Sequence, residues 1–271
     1  MSYPNAKLLV EARSLKDVGT ALAMRILDVR SADAYHQGHI PGAVRLDAEQ
    51  WMVRSRQPNG LEDARLWTEL VGSLGIDTRT AAVVYDNAVT PTAARVWWLL
   101  RYVGHPDVRL LNGGLTAWRE GGGLISREEP KITATKFEPK FQKQMLADRE
   151  LVRQAIGQAA TCLIDSRSTP EYTGQKAQGP RGGRVPGARH LEWTIFLDER
   201  GRFKPAAELA KLLAEHKIAA NQTTVTYCQS GGRAAPDAFA LELMGYKDVK
   251  NYYGSWAEWS ADAKLPIETG N

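Results

Sequence analysis

Two cysteines among 271 residues are too few for a disulfide-stapled fold or a cysteine metal cluster. Cys162 and Cys228 are that pair, and a bridge between them would occupy both thiols. No apolar run approaches the roughly 20 residues needed to cross a bilayer. Leu8-Leu9-Val10 is cut short by Glu11, so no signal peptide is read there. The arginines are scattered, without the basic run and interleaved aromatics of a nucleic-acid surface. A net charge of +4 and a pI near 9.0 then describe a solvated surface that still suits a small anionic substrate. The rest is ordinary for a folded protein: 43% hydrophobic and 24% charged, with length for one large or two ordinary domains. These absences lead to the expectation of a cytoplasmic protein with no membrane or nucleic-acid partner and no metal; a monomer is also expected.

The chain alternates short apolar runs with helical spacing, and it does so twice. Ile26-Leu27-Asp28-Val29-Arg30 reads as a buried strand ending in charge, followed by a Gly- and Pro-containing loop at Gly38-His39-Ile40-Pro41-Gly42. Ala81 to Tyr85 is a second strand ending at Asp86, and Val108 to Leu111 a third, closed by Asn112-Gly113-Gly114. Later, Leu163 to Arg167 matches Leu27 to Arg30, Val185-Pro186-Gly187-Ala188 matches Ile40-Pro41-Gly42-Ala43, and Val225 to Cys228 matches Val83 to Asp86. Gly245 to Val249 and Gly254 with Trp259 complete the order set by Gly104 to Val108 and Gly113 with Trp118. Five landmarks in one order predict a duplicated α/β domain, each copy a parallel sheet flanked by helices. The expected division is a domain over 1–123, a linker over 124–143 rich in Lys, Glu, Pro and Thr, and a domain over 144–271.

Ligands of such sheets bind beyond the carboxyl ends of the strands. Cys228 lies there, followed by Gln229-Ser230-Gly231-Gly232-Arg233 and then a helical run. The glycines permit a sharp turn that aims successive N–H groups inward, and the helix adds the partial positive charge of its N-terminus. Such a nest favours a negative sulfur, so Cys228 is expected to act as a thiolate nucleophile. Cys162, inside the apolar run Cys162-Leu163-Ile164, reads as a buried strand residue.

These landmarks together resemble the tandem-domain rhodanese, or sulfurtransferase, family over nearly the whole chain, and Cys228 stands where that family keeps its catalytic cysteine. The resemblance implies an inactive first domain and a catalytic second one. Its chemistry would be a thiosulfate sulfurtransferase reaction through a Cys228 persulfide, with cyanide or a thiol as acceptor and no cofactor. It also implies that Gln229, Ser230, Gly231, Gly232 and Arg233 hold the substrate, with Trp193 as an aromatic wall and Arg181 facing the anion. Asp165 and Arg167 are expected to tie down the loop. Arg233 stands where more familiar family loops often have a small or β-branched residue.

Three alternatives stay open. A cysteine-dependent phosphatase shares the cysteine–glycine–arginine theme but uses a longer loop than the four residues Gln229 to Gly232. A persulfide carrier would deliver its sulfur only to a partner protein. A 3-mercaptopyruvate sulfurtransferase resembles this chain at Ser230 and Gly231, yet one position expected to carry a substrate-binding arginine holds Glu171. A carboxylate facing the substrate carboxylate would repel it, which favours thiosulfate.

Overall fold

The computed structural model describes residues 2–18 and 24–270. The chain divides into two units. The first comprises Lys7–Gln142 with Glu199–Arg202, and the second comprises Met1–Ala6, Lys143–Asp198 and Phe203–Asn271.

Strands covered on both faces need continuous apolar runs rather than alternation, and these runs set the sheets. In the first unit they are β1 (Leu9–Val10), β2 (Met24–Asp28), β3 (Val44–Arg45), β4 (Ala81–Tyr85) and β5 (Val108–Leu111). Around them lie α1 (Ala12–Val18), α2 (Ala32–Gln37), α3 (Ala48–Ser55), α4 (Ala64–Gly72), α5 (Pro91–Tyr102) and α6 (Gly114–Glu120). The second unit has β6 (Leu146–Ala147), β7 (Thr161–Asp165), β8 (Arg189–His190), β9 (Thr223–Tyr227) and β10 (Val249–Tyr252). Its helices are α7 (Arg149–Ala155), α8 (Thr169–Thr173), α9 (Ala206–Glu215), α10 (Ala234–Leu243) and α11 (Ser255–Ala261).

The sheet orders are β1-β5-β4-β2-β3 and β6-β10-β9-β7-β8, parallel throughout. The register repeats as well: Asp28 lies opposite Tyr85, and Asp165 opposite Tyr227. The chain leaves β7 for β8 on one side and returns to β9 on the other, so the direction of winding switches between β7 and β9. Ligands of such folds sit at that point. The second core joins Val225 and Tyr227 to Trp256 and Trp259 of α11, both tryptophans being fully buried.

One departure from the sequence reading has a local cause, and the segment after residue 123 has local partners. β2 ends at Asp28 because Arg30 turns back on it, its guanidinium reaching both carboxylate oxygens at 2.6 to 3.1 Å. Residues 124–142 run without helix, and their N–H groups find carbonyls of the first unit: Thr135 to Gly72 at 3.0 Å, Lys140 to Val103 at 2.8 Å and Gln142 to Tyr102 at 2.7 Å. Among the described residues no helix is long and apolar enough to cross a membrane.

Candidate functional site

Cys228 follows the last residue of β9 and is buried, with 1% of its surface exposed. The Ser230 N–H points at its Sγ from 3.3 Å. Gly231 makes the turn possible at φ +75°, and a β-carbon there would stand 2.9 Å from the Tyr253 carbonyl oxygen. Position 231 therefore requires glycine on two counts. The loop then enters α10 at Arg233 and Ala234, which places the helix N-terminus directly behind the cysteine loop.

The loop is held from beneath by a residue the sequence reading did not single out. Ser255 Oγ accepts the N–H of Cys228 at 3.2 Å and that of Gly231 at 2.9 Å, while donating to the Tyr252 carbonyl at 2.7 Å. Those two loop N–H groups thus serve the scaffold rather than the sulfur. Ser255 sits at φ +56°, a conformation that disfavours non-glycine residues by about 1 to 2 kcal/mol. The matching residue of the first unit is Gly114, at φ +57°. A serine where the other repeat keeps glycine is the signal in the sequence. Asn251 adds a further strut, its side-chain amide donating to the Gly231 carbonyl at 3.1 Å. The carbonyls of Cys228 and Gln229 accept the Trp256 and Ala257 N–H groups at 2.9 and 3.0 Å.

The remaining expected site residues divide. Gln229 lies beside the cysteine, with its amide tethered to the Gln178 carbonyl at 2.7 Å. Gly232 accepts the Ala235 N–H at 3.1 Å and so belongs to the helix start. Trp193 is half-buried after β8, its backbone N–H donating to the Ser166 carbonyl at 3.3 Å. Arg181 turns away from an anion-binding role: its guanidinium donates to the carbonyls of Trp259, Ser260, Asp262 and Leu265 at 2.6 to 3.0 Å. The carbonyls at the C-terminal end of α11 capture the cation, as helix ends do.

Arg233 is close to the cysteine but its charge is answered. Its two terminal nitrogens reach the Glu171 oxygens at 2.6 and 2.7 Å, a bidentate pair, and the hydrogen bond to Glu171 is the main reason its pKa is raised. Glu171 is 2% exposed and also accepts the Ser168 N–H and hydroxyl at 3.1 and 2.6 Å, which starts α8 with a capping box. The expectation that Glu171 faces a substrate carboxylate is therefore corrected: it neutralises Arg233. Burial alone would raise the Glu171 pKa, but the bonds from Arg233 and Ser168 hold it down at about 2. Below them Arg167 is buried, bound to Asp165 at 2.6 to 3.1 Å and to the Gly183 carbonyl at 2.7 Å, and lies 4.6 Å from the Trp256 ring centroid.

In the first unit Asp86 occupies the position of Cys228. Its oxygens take the Asn87 N–H at 2.6 Å and the Thr90 hydroxyl at 2.7 Å, so the carboxylate closes on its own loop. Cys162 is buried on β7, and burial pushes its thiol pKa up.

A doubled parallel α/β unit with a single cysteine loop at a strand end, mounted on a helix N-terminus, defines a two-repeat protein with one thiol site. The chain belongs to the rhodanese family: the Rhodanese-like domain profile matches residues 9–121 and again 148–262. It is similar to the thiosulfate sulfurtransferase of Azotobacter vinelandii, 32% identical over 267 residues that cover 98% of each chain. It is 36% identical to the thiosulfate sulfurtransferase of Corynebacterium glutamicum over 251 residues, covering 87% of this chain and 81% of that one. Among solved structures it is similar to the anaerobic ergothioneine biosynthesis enzyme of Chlorobium limicola, in complex with its natural substrate trimethyl histidine. That match has a TM-score of 0.89 and 25% identity, covering 99% of this chain and 72% of the other.

Proposed function

We propose that this chain is a thiosulfate sulfurtransferase working through Cys228. The observation that carries the reading is the placement of Cys228 Sγ at the end of β9, with the Ser230 N–H aimed at it and the α10 N-terminus behind. The Cys228 thiolate attacks the outer sulfur of thiosulfate, the sulfur–sulfur bond breaks, and sulfite leaves with the electron pair. A cyanide ion or thiolate then attacks the outer sulfur of the persulfide, and Cys228 departs as a thiolate. This is covalent ping-pong catalysis. The loop is fixed before the reaction, so its N–H dipoles need no reorganisation while charge sits on sulfur.

The donor follows from which cations are engaged. Arg181 and Arg233 both have partners, so no guanidinium pair among the expected site residues is left to clamp a keto-acid carboxylate. A compact dianion, drawn by loop N–H groups and a helix N-terminus, fits this arrangement better than 3-mercaptopyruvate. Gln229, Ser230, Gly231, Gly232 and Arg233 form the substrate loop in this proposal, with Trp193 beside it. Residues 144–271 do the chemistry, 1–123 are non-catalytic, and 124–143 join them. The same proposal has the chain act as a monomer in the cytoplasm, without membrane or nucleic-acid partners.

Steady-state thiocyanate formation from thiosulfate and cyanide tests the reading, with parallel double-reciprocal lines expected. A persulfide formed once without turnover would instead mark a carrier that hands sulfur to a partner protein. A higher kcat/KM for 3-mercaptopyruvate would overturn the choice of donor, and p-nitrophenyl phosphate hydrolysis at a comparable rate would overturn the reaction class.

A further inference from the structure

The first unit has lost the nucleophile but not the cleft. At the carboxyl ends of β2 and β3 lies a cavity of about 410 Å³, lined entirely by residues of this unit. Its position relative to the strands is the one where α/β sheets bind ligands. Register places Val44 opposite Leu27 and Arg189 opposite Ile164, so Ala48 of the cavity wall corresponds to Trp193. A methyl group stands where the other repeat carries an indole.

Three arginines line this cavity: Arg30, Arg45 and Arg95. Arg30 is locked to Asp28 and to the Gly38 carbonyl and is buried, which makes it a rigid part of the wall. Arg45 gives one terminal nitrogen to Asp47 at 3.3 Å, whereas its Nε is buried and meets no hydrogen-bond partner among the described residues. Such a donor calls for an acceptor. Arg95 and the exposed Thr92 stand in the first turns of α5, a helix of 12 residues whose N-terminus adds positive potential. Two acids also line the space. Asp47 caps α3, taking the Gln50 N–H at 3.0 Å, and Glu49 is exposed; with Arg30 held by Asp28, the cleft sets Arg45, Arg95 and the α5 N-terminus against these two carboxylates. Met52 gives the wall an apolar patch.

We infer that this cleft is a second anion site, which takes a small organic molecule with a phosphate- or sulfonate-type oxyanion at one end and an apolar body at the other. The oxyanion lies between Arg45 and Arg95 at the α5 N-terminus, and the body lies against Met52. The site is independent of Cys228 and needs no chemistry of its own.

Phenyl phosphate is a suitable probe, titrated calorimetrically into the full chain. One saturable site per chain is expected, weakened at least tenfold in the double variant Arg45→Gln, Arg95→Gln. Ala48→Trp, which copies the other repeat and fills the cleft, should weaken binding to a similar degree, and it decides the matter alone if the double variant does not fold. Thiosulfate turnover should stay within about twofold of the parent in both. Absence of saturable binding, or binding that both variants leave unchanged, would overturn the inference.

Discussion

Ser255 Oγ bridges the two ends of the cysteine turn, holding the Cys228 N–H at 3.2 Å and the Gly231 N–H at 2.9 Å from a single buried oxygen. Ser255→Ala leaves both donors without that acceptor in a buried place, at a cost of about 1 to 3 kcal/mol for each unsatisfied group. The expected result is a lower Tm and a kcat reduced by at least about tenfold. Ser255→Gly relieves the left-handed backbone but also removes the oxygen, so a glycine variant as active as the parent would show that the bridge is unimportant.

The two thiols should separate cleanly. Cys228→Ser abolishes sulfur transfer, whereas Cys162→Ser retains most of it, because only Cys228 faces the loop N–H groups. Burial raises the Cys162 thiol and slows its reaction with electrophiles. Peptide mapping after brief iodoacetate treatment at neutral pH checks this. Alkylation of Cys162 ahead of Cys228 would reverse the assignment.

The Glu171–Arg233 pair makes an acid-dependent contribution. Glu171 titrates at about 2 in the fold and near 4.3 when unfolded, so its contribution is complete above roughly pH 5 and disappears as the pH falls through about 2. Glu171→Gln should cost about 1 to 3 kcal/mol at neutral pH and flatten that acid limb. It also leaves the Arg233 charge unanswered, so the KM for thiosulfate should fall several-fold. An unchanged acid denaturation profile would count against the pair.

Asp237 acts in the opposite direction. It is fully buried on α10, with one oxygen accepting the Ser166 hydroxyl at 2.7 Å and the other meeting no partner among the described residues. Burial drives its pKa well above the ordinary carboxylate value, the Ser166 bond opposes this, and Asp165 adds to it. The folded state therefore binds the proton more tightly, and stability declines as pH rises from about 4 towards the folded value. Asp237→Asn should be more stable than the parent at pH 7 and lose that advantage near pH 4. Urea unfolding at the two pH values decides it.

The doubled fold is legible because its landmarks are local. Asp28 and Asp165 end apolar runs, Ile40-Pro41 and Val185-Pro186 mark equivalent turns, and Val225 to Tyr227 lead straight to Cys228. What escapes the sequence joins residues far apart. Ser255 lies 27 positions from Cys228, and Glu171 lies 62 from Arg233, so nothing in either neighbourhood announces the contact. The partners of Arg181 are hidden for the same reason: the carbonyls that take its guanidinium belong to residues nearly 80 positions later. A charge in a loop shows that a partner is needed, and only the fold says whether that partner is substrate or backbone.

The exchange of short segments between the units bears on the order in which the protein is made. Tyr3 donates its hydroxyl to the Lys204 carbonyl at 2.8 Å, and Asn5 its N–H to the Leu243 carbonyl at 3.0 Å. On the ribosome these residues emerge about 200 positions ahead of their acceptors and wait for them. The segment Glu199–Arg202 emerges late and joins a unit otherwise built earlier, giving the Gly201 carbonyl to the Val89 N–H at 3.0 Å. Neither repeat is finished by its own stretch of messenger, so a nascent chain halted at the boundary would hold a first repeat with a missing piece and a leading segment with no place to dock.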